Sequence, residues 1–135
     1  MIQGGAGNDV IEGNEGVDTI FGGQGDDKVL GGDGGDMIYG DGDFDGLFGD
    51  DKLYGGSGAD MIYGGRGDDL LRGGEDDDIL YGDAGDDVIY GDEGEDKLYG
   101  NYGWDTLFGG DGCDEIFTKD GGDVVWLGDC DGTTD

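Results

Sequence analysis

Several residue types are missing or scarce in this chain of 135 residues. It has no histidine and no proline, and Ser57 is its only serine. A Ser-His or Cys-His nucleophilic pair therefore cannot be assembled, and the sequence predicts a protein that is not an enzyme. No apolar run approaches the roughly 18–20 residues that a membrane span needs. The N-terminus lacks the basic start and apolar stretch of a signal peptide.

Basic residues are also scarce, with 6 Lys and Arg against 36 Asp and Glu, so the formal net charge is -30. Such a chain would be repelled by the phosphates of a nucleic acid, which excludes that class of partner. Self-repulsion should also keep the chain expanded in plain water. Composition alone leaves two interpretations, which are an acidic disordered segment and a fold that needs cations.

What is abundant is glycine, with 37 residues, and it recurs in a repeat of nine. From Gly4 the chain reads GGAGNDVIE, GNEGVDTIF, GGQGDDKVL and so on, giving fourteen units up to Trp126. One unit, residues 49–54, is short and lacks three turn residues. A disordered segment has no reason to hold this phase, so the repeat favours a fold that forms when cations are present.

Each position of the unit has a distinct character. Position eight is always Ile, Leu or Val, and position four is Gly in most units, where a positive φ would exclude most other residues. Position six is Asp in every unit: Asp9, Asp18, Asp27, Asp36, Asp45, Asp51, Asp60, Asp69, Asp78, Asp87, Asp96, Asp105, Asp114 and Asp123. The pattern predicts a six-residue turn followed by a strand of about three residues.

Two units make one coil of eighteen residues, so residue n should stack on residue n+18 at the usual strand spacing. Position eight then points inward. This core is one aliphatic side chain per unit, which is too thin to offset the ordering entropy of nine residues. We expect one all-β domain over residues 1–126, with the short unit 49–54 as a defect and residues 127–135 as a terminal turn and stub.

The missing free energy is expected from metal ions held in the turns. Asp carboxylates and Gly carbonyls are hard oxygen ligands, and without histidine the sites suit Ca²⁺ better than zinc, copper or iron. Asp n and Asp n+18 would share an ion. One predicted column is Asp9, Asp27, Asp45, Asp60, Asp78, Asp96 and Asp114; the other is Asp18, Asp36, Asp51, Asp69, Asp87, Asp105 and Asp123. Together they predict about a dozen calcium ions.

The unit resembles G-G-x-G-x-D-x-U-x, the repeat of calcium-binding RTX (repeats-in-toxin) proteins. Residues 64–72, GGRGDDLLR, show the likeness, which covers nearly the whole chain. The resemblance implies a right-handed parallel β-roll (a β-solenoid) of about seven 18-residue coils. It also implies that the position-six Asp residues and the turn carbonyls bind calcium. Proteins of this kind are typically exported unfolded by type I secretion, which implies calcium-dependent folding outside the cell.

Three departures from the repeat predict weaker sites. The short unit lacks a full turn, so we expect the sites that pair Asp51 with Asp36 and Asp69 to be affected. Asp43 and Asp76 replace the Gly of position four, and residues 118–119, Thr-Lys, replace the opening Gly pair beside the Asp105–Asp123 site.

A rival motif lies at the defect, where residues 41–46 read D-x-D-x-D-G like the start of an EF-hand loop. The twelfth position of that loop would need Glu and is Lys52, and no helix pattern flanks it. The EF-hand interpretation is therefore disfavoured.

Position nine is mostly aromatic and should face outward, giving an aromatic ladder on each sheet. The ladder either stiffens the roll or forms a contact surface for a partner, a glycan or another copy. The chain also begins in mid-repeat, and we see no capping helix. An alternative function is therefore a self-assembling extracellular filament or surface layer that stacks head to tail through uncapped ends. A third is an accessory module of a secreted enzyme whose catalytic part lies outside this chain.

Cys113 and Cys130 are seventeen residues apart, close to one coil. They should lie on adjacent turns of one edge, at distances that suit a disulfide. The alternative is two free thiols, and the sequence does not decide between them.

Overall fold

The computed structural model describes residues 1–41 and 48–128 and residue 130. These residues form fourteen strands and no helix. The strands are β1 (Ile2–Ala6), β2 (Val10–Glu15), β3 (Thr19–Gln24), β4 (Lys28–Asp33), β5 (Met37–Asp41), β6 (Lys52–Ser57), β7 (Met61–Arg66), β8 (Leu70–Glu75), β9 (Ile79–Ala84), β10 (Val88–Glu93), β11 (Lys97–Tyr102), β12 (Thr106–Asp111), β13 (Glu115–Phe117) and β14 (Val124–Trp126).

Odd-numbered and even-numbered strands form two separate seven-stranded sheets, which we name sheet A and sheet B respectively. All pairings are parallel, and the usual register joins residue n to residue n+18, as between Ile2 and Ile20. The chain therefore winds as a β-solenoid of about seven turns, which confirms the predicted fold class. The hand of the coil stays a prediction.

The strands are longer than the sequence suggests, because most have six residues instead of about three. The six-residue strands continue from position seven of one unit into positions one to three of the next, whereas β13 and β14 end at position nine. In β4, for example, Gly32 and Asp33 still pair with Gly56 and Ser57 of β6. The first half of each predicted turn therefore belongs to the parallel ladder.

The register predicted around the short unit is wrong. Strand β4 pairs with β6, so that Lys28 lies opposite Lys52, and β5 pairs with β7, so that Met37 lies opposite Met61. Both offsets are 24 residues, which is one coil plus six. The unit that begins at Gly40 is therefore a long one, with six extra residues between Asp41 and Phe48, and residues 49–54 are its second half.

The physical reason for this register is the core. Leu53 is fully buried at position eight and stacks between Val29 and Leu71, so the long unit keeps the aliphatic column continuous. Asp43, Asp45 and Leu47 lie outside the described residues, as does half of the disfavoured EF-hand loop.

The core consists of the position-eight side chains, as predicted. Eleven of them are buried: Ile11, Ile20, Val29, Ile38, Leu53, Ile62, Leu71, Leu80, Ile89, Leu98 and Leu107. Ile2 and Ile116 pack partly against this column, and Val125 in β14 is 40% exposed. Burial of each side chain contributes about 1.5–3 kcal/mol. Ordering the backbone of nine residues costs about 1–2 kcal/mol per residue, so burial alone does not hold the fold.

The outer faces of the two sheets differ. On sheet A, six aromatic rings form an unbroken stack with centroids 4.6–5.0 Å apart, from Phe21 through Tyr39, Tyr63, Tyr81 and Tyr99 to Phe117. On sheet B the stack is interrupted by Arg72, whose guanidinium lies over the Tyr90 ring and pairs with Asp92. The predicted ladder is thus continuous on one sheet only.

Phe48 does not belong to either ladder, although its sequence position suggested that it would. It precedes the turn glycine Gly49, whose N–H donates to the carbonyl of Arg66, and the Arg66 guanidinium lies over its ring. Phe48 therefore occupies position three of the long unit.

Substitution of a core residue tests this assignment. Leu80→Ala should lower the free energy of unfolding in saturating calcium by about 2–5 kcal/mol. It opens a cavity in a core that has one aliphatic side chain per unit, so no neighbouring side chain can fill the space. Urea denaturation followed by circular dichroism measures the change. Leu127→Ala is the matched control, since Leu127 is 62% exposed and its truncation should have little effect. Equal losses in the two variants would contradict the proposed core.

Candidate metal centre

The position-six Asp side chains line the two edges where the chain crosses between the sheets. The first edge carries Asp9, Asp27, Asp51, Asp69, Asp87, Asp105 and Asp123; the second carries Asp18, Asp36, Asp60, Asp78, Asp96 and Asp114. Beyond the long unit, the residues of the two predicted columns are therefore exchanged. Asp45 was also predicted as a ligand and lies outside the described residues.

Successive Asp residues of each edge are joined by a hydrogen bond of one type. The backbone N–H of each donates to Oδ1 of the Asp one coil further along, over 2.7–3.1 Å. The first edge has six such steps and the second has five. Asp51 takes part in two, with Asp27 and Asp69, so the long unit does not interrupt the ladder.

The second carboxylate oxygen of these residues is buried and has no hydrogen-bond partner in the described part of the chain. This holds for Oδ2 of Asp9, Asp27, Asp36, Asp51, Asp60, Asp69, Asp78, Asp87, Asp96, Asp105 and Asp114. Nine position-six side chains, from Asp27 to Asp105, are at most 3% exposed. A buried polar group without a partner costs about 1–3 kcal/mol, and more when it is charged. Because the missing partner recurs at each of these oxygens, a proton or a cation is needed to compensate for their burial.

Backbone carbonyls converge on the same oxygens. A Cβ atom built on Gly22 would lie 2.5 Å from Asp27 Oδ2 and 2.5 Å from the carbonyl oxygen of Gly40. At Gly64 the corresponding oxygens are Asp69 Oδ2 at 2.5 Å and the Gly82 carbonyl at 2.7 Å. Any side chain here would displace an oxygen, so glycine at position one keeps a carboxylate and a carbonyl side by side.

Burial raises the pKa values of these carboxyl groups. The pKa is raised to about 8 for Asp69 and Asp78 and to about 7 for Asp51 and Asp87, in each case mainly by burial. Neighbouring carboxylates add to the shift, and the N–H donors oppose it. Burial therefore disfavours the negative charge of these carboxylates unless a cation compensates for it.

The donor set is all oxygen. Within the described residues no three acidic, cysteine or histidine side chains come together as a ready-made metal cluster, so carbonyls have to complete any site. Two carboxylates with several carbonyls match the six to eight oxygen ligands of Ca²⁺, whereas Mg²⁺ demands a tight octahedron. The position-six Asp residues and the carbonyls of the turn glycines would hold this ion.

Comparison with protein families identifies the repeat. The family model of the RTX calcium-binding nonapeptide repeat matches overlapping segments, residues 1–29, 12–47, 39–71, 63–98, 81–116 and 99–129. The chain belongs to this family. The ion implied by the family is calcium, and the repeat is a structural calcium-binding element and not a catalytic one. A comparison with the curated proteins finds no match.

A second ladder, which was not predicted from the sequence, runs beside the first edge. The N–H of Asp26 donates to Asn8 Oδ1, and the same bond recurs from Asp50 to Asp26, from Asp68 to Asp50, from Asp86 to Asp68 and from Trp104 to Asp86. In this ladder the N–H donor belongs to the later coil and the acceptor to the earlier one, which is the reverse of the position-six ladder. Its signal was the Asp or Asn at position five of alternate units.

The cysteines lie close together, as their spacing predicts. Cys113 Sγ is 3.5 Å from the carbonyl oxygen of Cys130, and both side chains are exposed free thiols. The disulfide stays a prediction. Among all the described residues, no helix has the length and apolar character of a membrane span.

Removal of one position-six carboxylate tests the sharing of ions. Asp87→Ala should weaken two calcium ions, because Asp87 lies between Asp69 and Asp105 and is hydrogen-bonded to both. Calcium counting by equilibrium dialysis measures the loss. The control is Asp111→Ala, which removes an exposed carboxylate at the end of β12. An unchanged ion count in Asp87→Ala would exclude shared sites.

The raised pKa values also predict a pH dependence. A carboxyl whose pKa is higher in the folded than in the unfolded chain stabilises the fold when protonated, and this stabilisation is lost as pH rises from about 4 towards 8. Without calcium, strand content by circular dichroism should therefore be greater near pH 4.5 than at pH 8.5. With saturating calcium the difference should disappear. Greater strand content at the higher pH without calcium would contradict this explanation.

Proposed function

We propose that this chain is a non-catalytic calcium-binding module that folds when calcium fills its turns. The supporting observation is the row of buried Oδ2 atoms that lack a partner, one at nearly every position-six Asp. A cation between adjacent turns would neutralise two carboxylates and occupy both unpartnered oxygens. The core is too thin to stabilise the coils without this contribution.

The number of ions follows from the corrected columns. Six steps on the first edge and five on the second give up to eleven sites among the described residues, close to the dozen expected from the sequence. At two charges each, these ions would cancel most of the formal charge of -30. Calcium would thus also remove the repulsion that keeps the free chain expanded.

An extracellular setting suits such a module. RTX repeat proteins are typically secreted by the type I route, and extracellular calcium modules bind with dissociation constants of about 10⁻⁴–10⁻³ M. Inside a cell, where free calcium is far lower, the carboxylates would stay unneutralised and the chain would stay unfolded. Calcium on the outer side would then drive folding after export.

Self-assembly is the second candidate, and the stacked rings of sheet A are the observation that favours it. Six rings at the strand spacing of about 4.8 Å form a stripe roughly 29 Å long and one side chain wide. A stable interface buries about 800 Å² per partner. The ladder alone is therefore too small for a stable dimer, so we favour the monomeric module.

Calcium titration tests the proposal. Circular dichroism should show a disordered chain in excess chelator at pH 8 and full strand signal in millimolar calcium, whereas magnesium at the same concentration should be much less effective. Strand signal that persists at full strength in chelator would refute calcium-driven folding. Light scattering of the calcium form across protein concentrations distinguishes a monomer from long assemblies.

A further inference from the structure

Asp41 is an acidic residue that the nonapeptide pattern does not explain. It occupies position two of the long unit, at the end of β5, where most units have Gly. Asp83 and Asp92 occupy the same position in other units and take left-handed φ angles of 74° and 79°. Asp41 does not, so its carboxylate points elsewhere than theirs.

The hydrogen bonds of these three residues differ as well. Asp92 is paired with the Arg72 guanidinium, and Asp83 accepts a bond from the Asn101 amide. Asp41 accepts the backbone N–H of Arg66 at Oδ2 over 2.8 Å. Its Oδ1 is buried and has no hydrogen-bond partner in the described part of the chain. Among the described residues, Asp41 is the one residue outside position six with such a buried, unpartnered side-chain atom.

The carboxylate of Asp41 lies beside the calcium-binding oxygens of the first edge. A Cβ atom built on Gly65 would lie 2.6 Å from Asp41 Oδ2. The preceding residue, Gly64, supplies the carbonyl oxygen that converges with Asp51 Oδ2 at Gly40. Asp41 and the Gly64–Gly65 peptide therefore border the step from Asp51 to Asp69.

Two further observations show that this step needs positive charge. Asp51 and Asp69 are 1% and 2% exposed, and Oδ2 of each has no partner in the described residues. The negative charge of Asp41 acts on both of them. Three carboxylates thus share one largely buried region. Asp83 and Asp92 act in the same way on Asp87 and Asp96, but each of those two has a side-chain partner, whereas Oδ1 of Asp41 has no partner in the described residues.

We propose that Asp41 makes the step between Asp51 and Asp69 the tightest calcium site of the molecule, by adding a third carboxylate charge to it. This inference rests on the proposed calcium-binding function. The three side chains do not converge on one point in the described structure, so Asp41 acts through its charge. Calcium affinity increases with the number of charges around the site. The long unit, which the sequence presented as a defect, then holds the last ion to leave.

The test is the variant Asp41→Asn, which removes the charge and keeps an oxygen to accept the Arg66 N–H. Its control is Asp50→Asn, which removes one exposed charge from the same turn and likewise keeps an acceptor for the Asp68 N–H. Each protein is loaded with calcium and mixed in a stopped-flow instrument with an excess of a fluorescent chelator, so that the amplitude of each phase counts ions.

In the unmodified protein, the slowest release phase should have the amplitude of one ion. Asp41→Asn should accelerate that phase about tenfold, and Asp50→Asn should leave it unchanged. Asp41→Glu keeps the charge and should retain the slow phase. An unaltered slow phase in Asp41→Asn would overturn the inference, as would equal acceleration in the Asn and Glu variants, which would indicate a structural role for the side chain.

These outcomes are distinct from failure of the proposed function. If the unmodified protein binds no calcium, the function itself is wrong. If it binds calcium at all steps and the Asn variant releases its ions identically, the function stands and the role of Asp41 is refuted. Should Asp41→Asn not fold in saturating calcium, the Glu variant decides, because loss of its slow phase despite the retained charge would also refute the inference.

Discussion

The structure depends on one constraint, which is that each edge buries a carboxylate oxygen without a hydrogen-bond partner in one described coil after another. From Asp27 to Asp114, each described position-six Asp uses Oδ1 to accept an N–H of the preceding coil and leaves Oδ2 buried. The N–H bonds set the distance between coils, so the unpartnered oxygens cannot move apart without breaking the ladder. Under the proposed function, calcium would resolve this conflict once per step. Folding and ion binding would then be a single process in this chain.

The glycines and the aliphatic column serve the same arrangement. Glycine at position one leaves room for a carboxylate and a carbonyl oxygen, as at Gly22 and Gly64. Left-handed residues at positions two and four turn the backbone so that its carbonyls reach this space, and Asp76 takes that conformation with a φ of 79° where glycine is replaced. The single buried side chain of each unit, such as Leu80, then fixes which face of the strand points inward.

Much of the fold could be predicted from the sequence, because a strict repeat of nine residues implies a regular coil. The parallel coils, the inward position eight and the Asp columns all follow from a period of nine and the alternation of strand side chains. The register at the long unit could not, since residues 40–48 imitate a complete repeat with Asp45 and Leu47 at the expected positions. The choice between Leu47 and Leu53 as the core residue depends on pairing with neighbouring strands, which local pattern does not contain. The position-five ladder was missed for a related reason, because its five successive steps lie on the first edge, and among the described residues the second edge has the single step from Glu95 to Asp77.

The six additional residues between Asp41 and Phe48 have a consequence for how such a molecule can change over time. Strands β4 and β6 keep their pairing and the core stays continuous although the covalent path between them is longer. Chain length at an edge is therefore independent of the order of the sheets. During evolution a turn could be lengthened and its surface residues varied while the strand pairing and the core stay unchanged. The condition is that the neighbouring coils can still bind their ions.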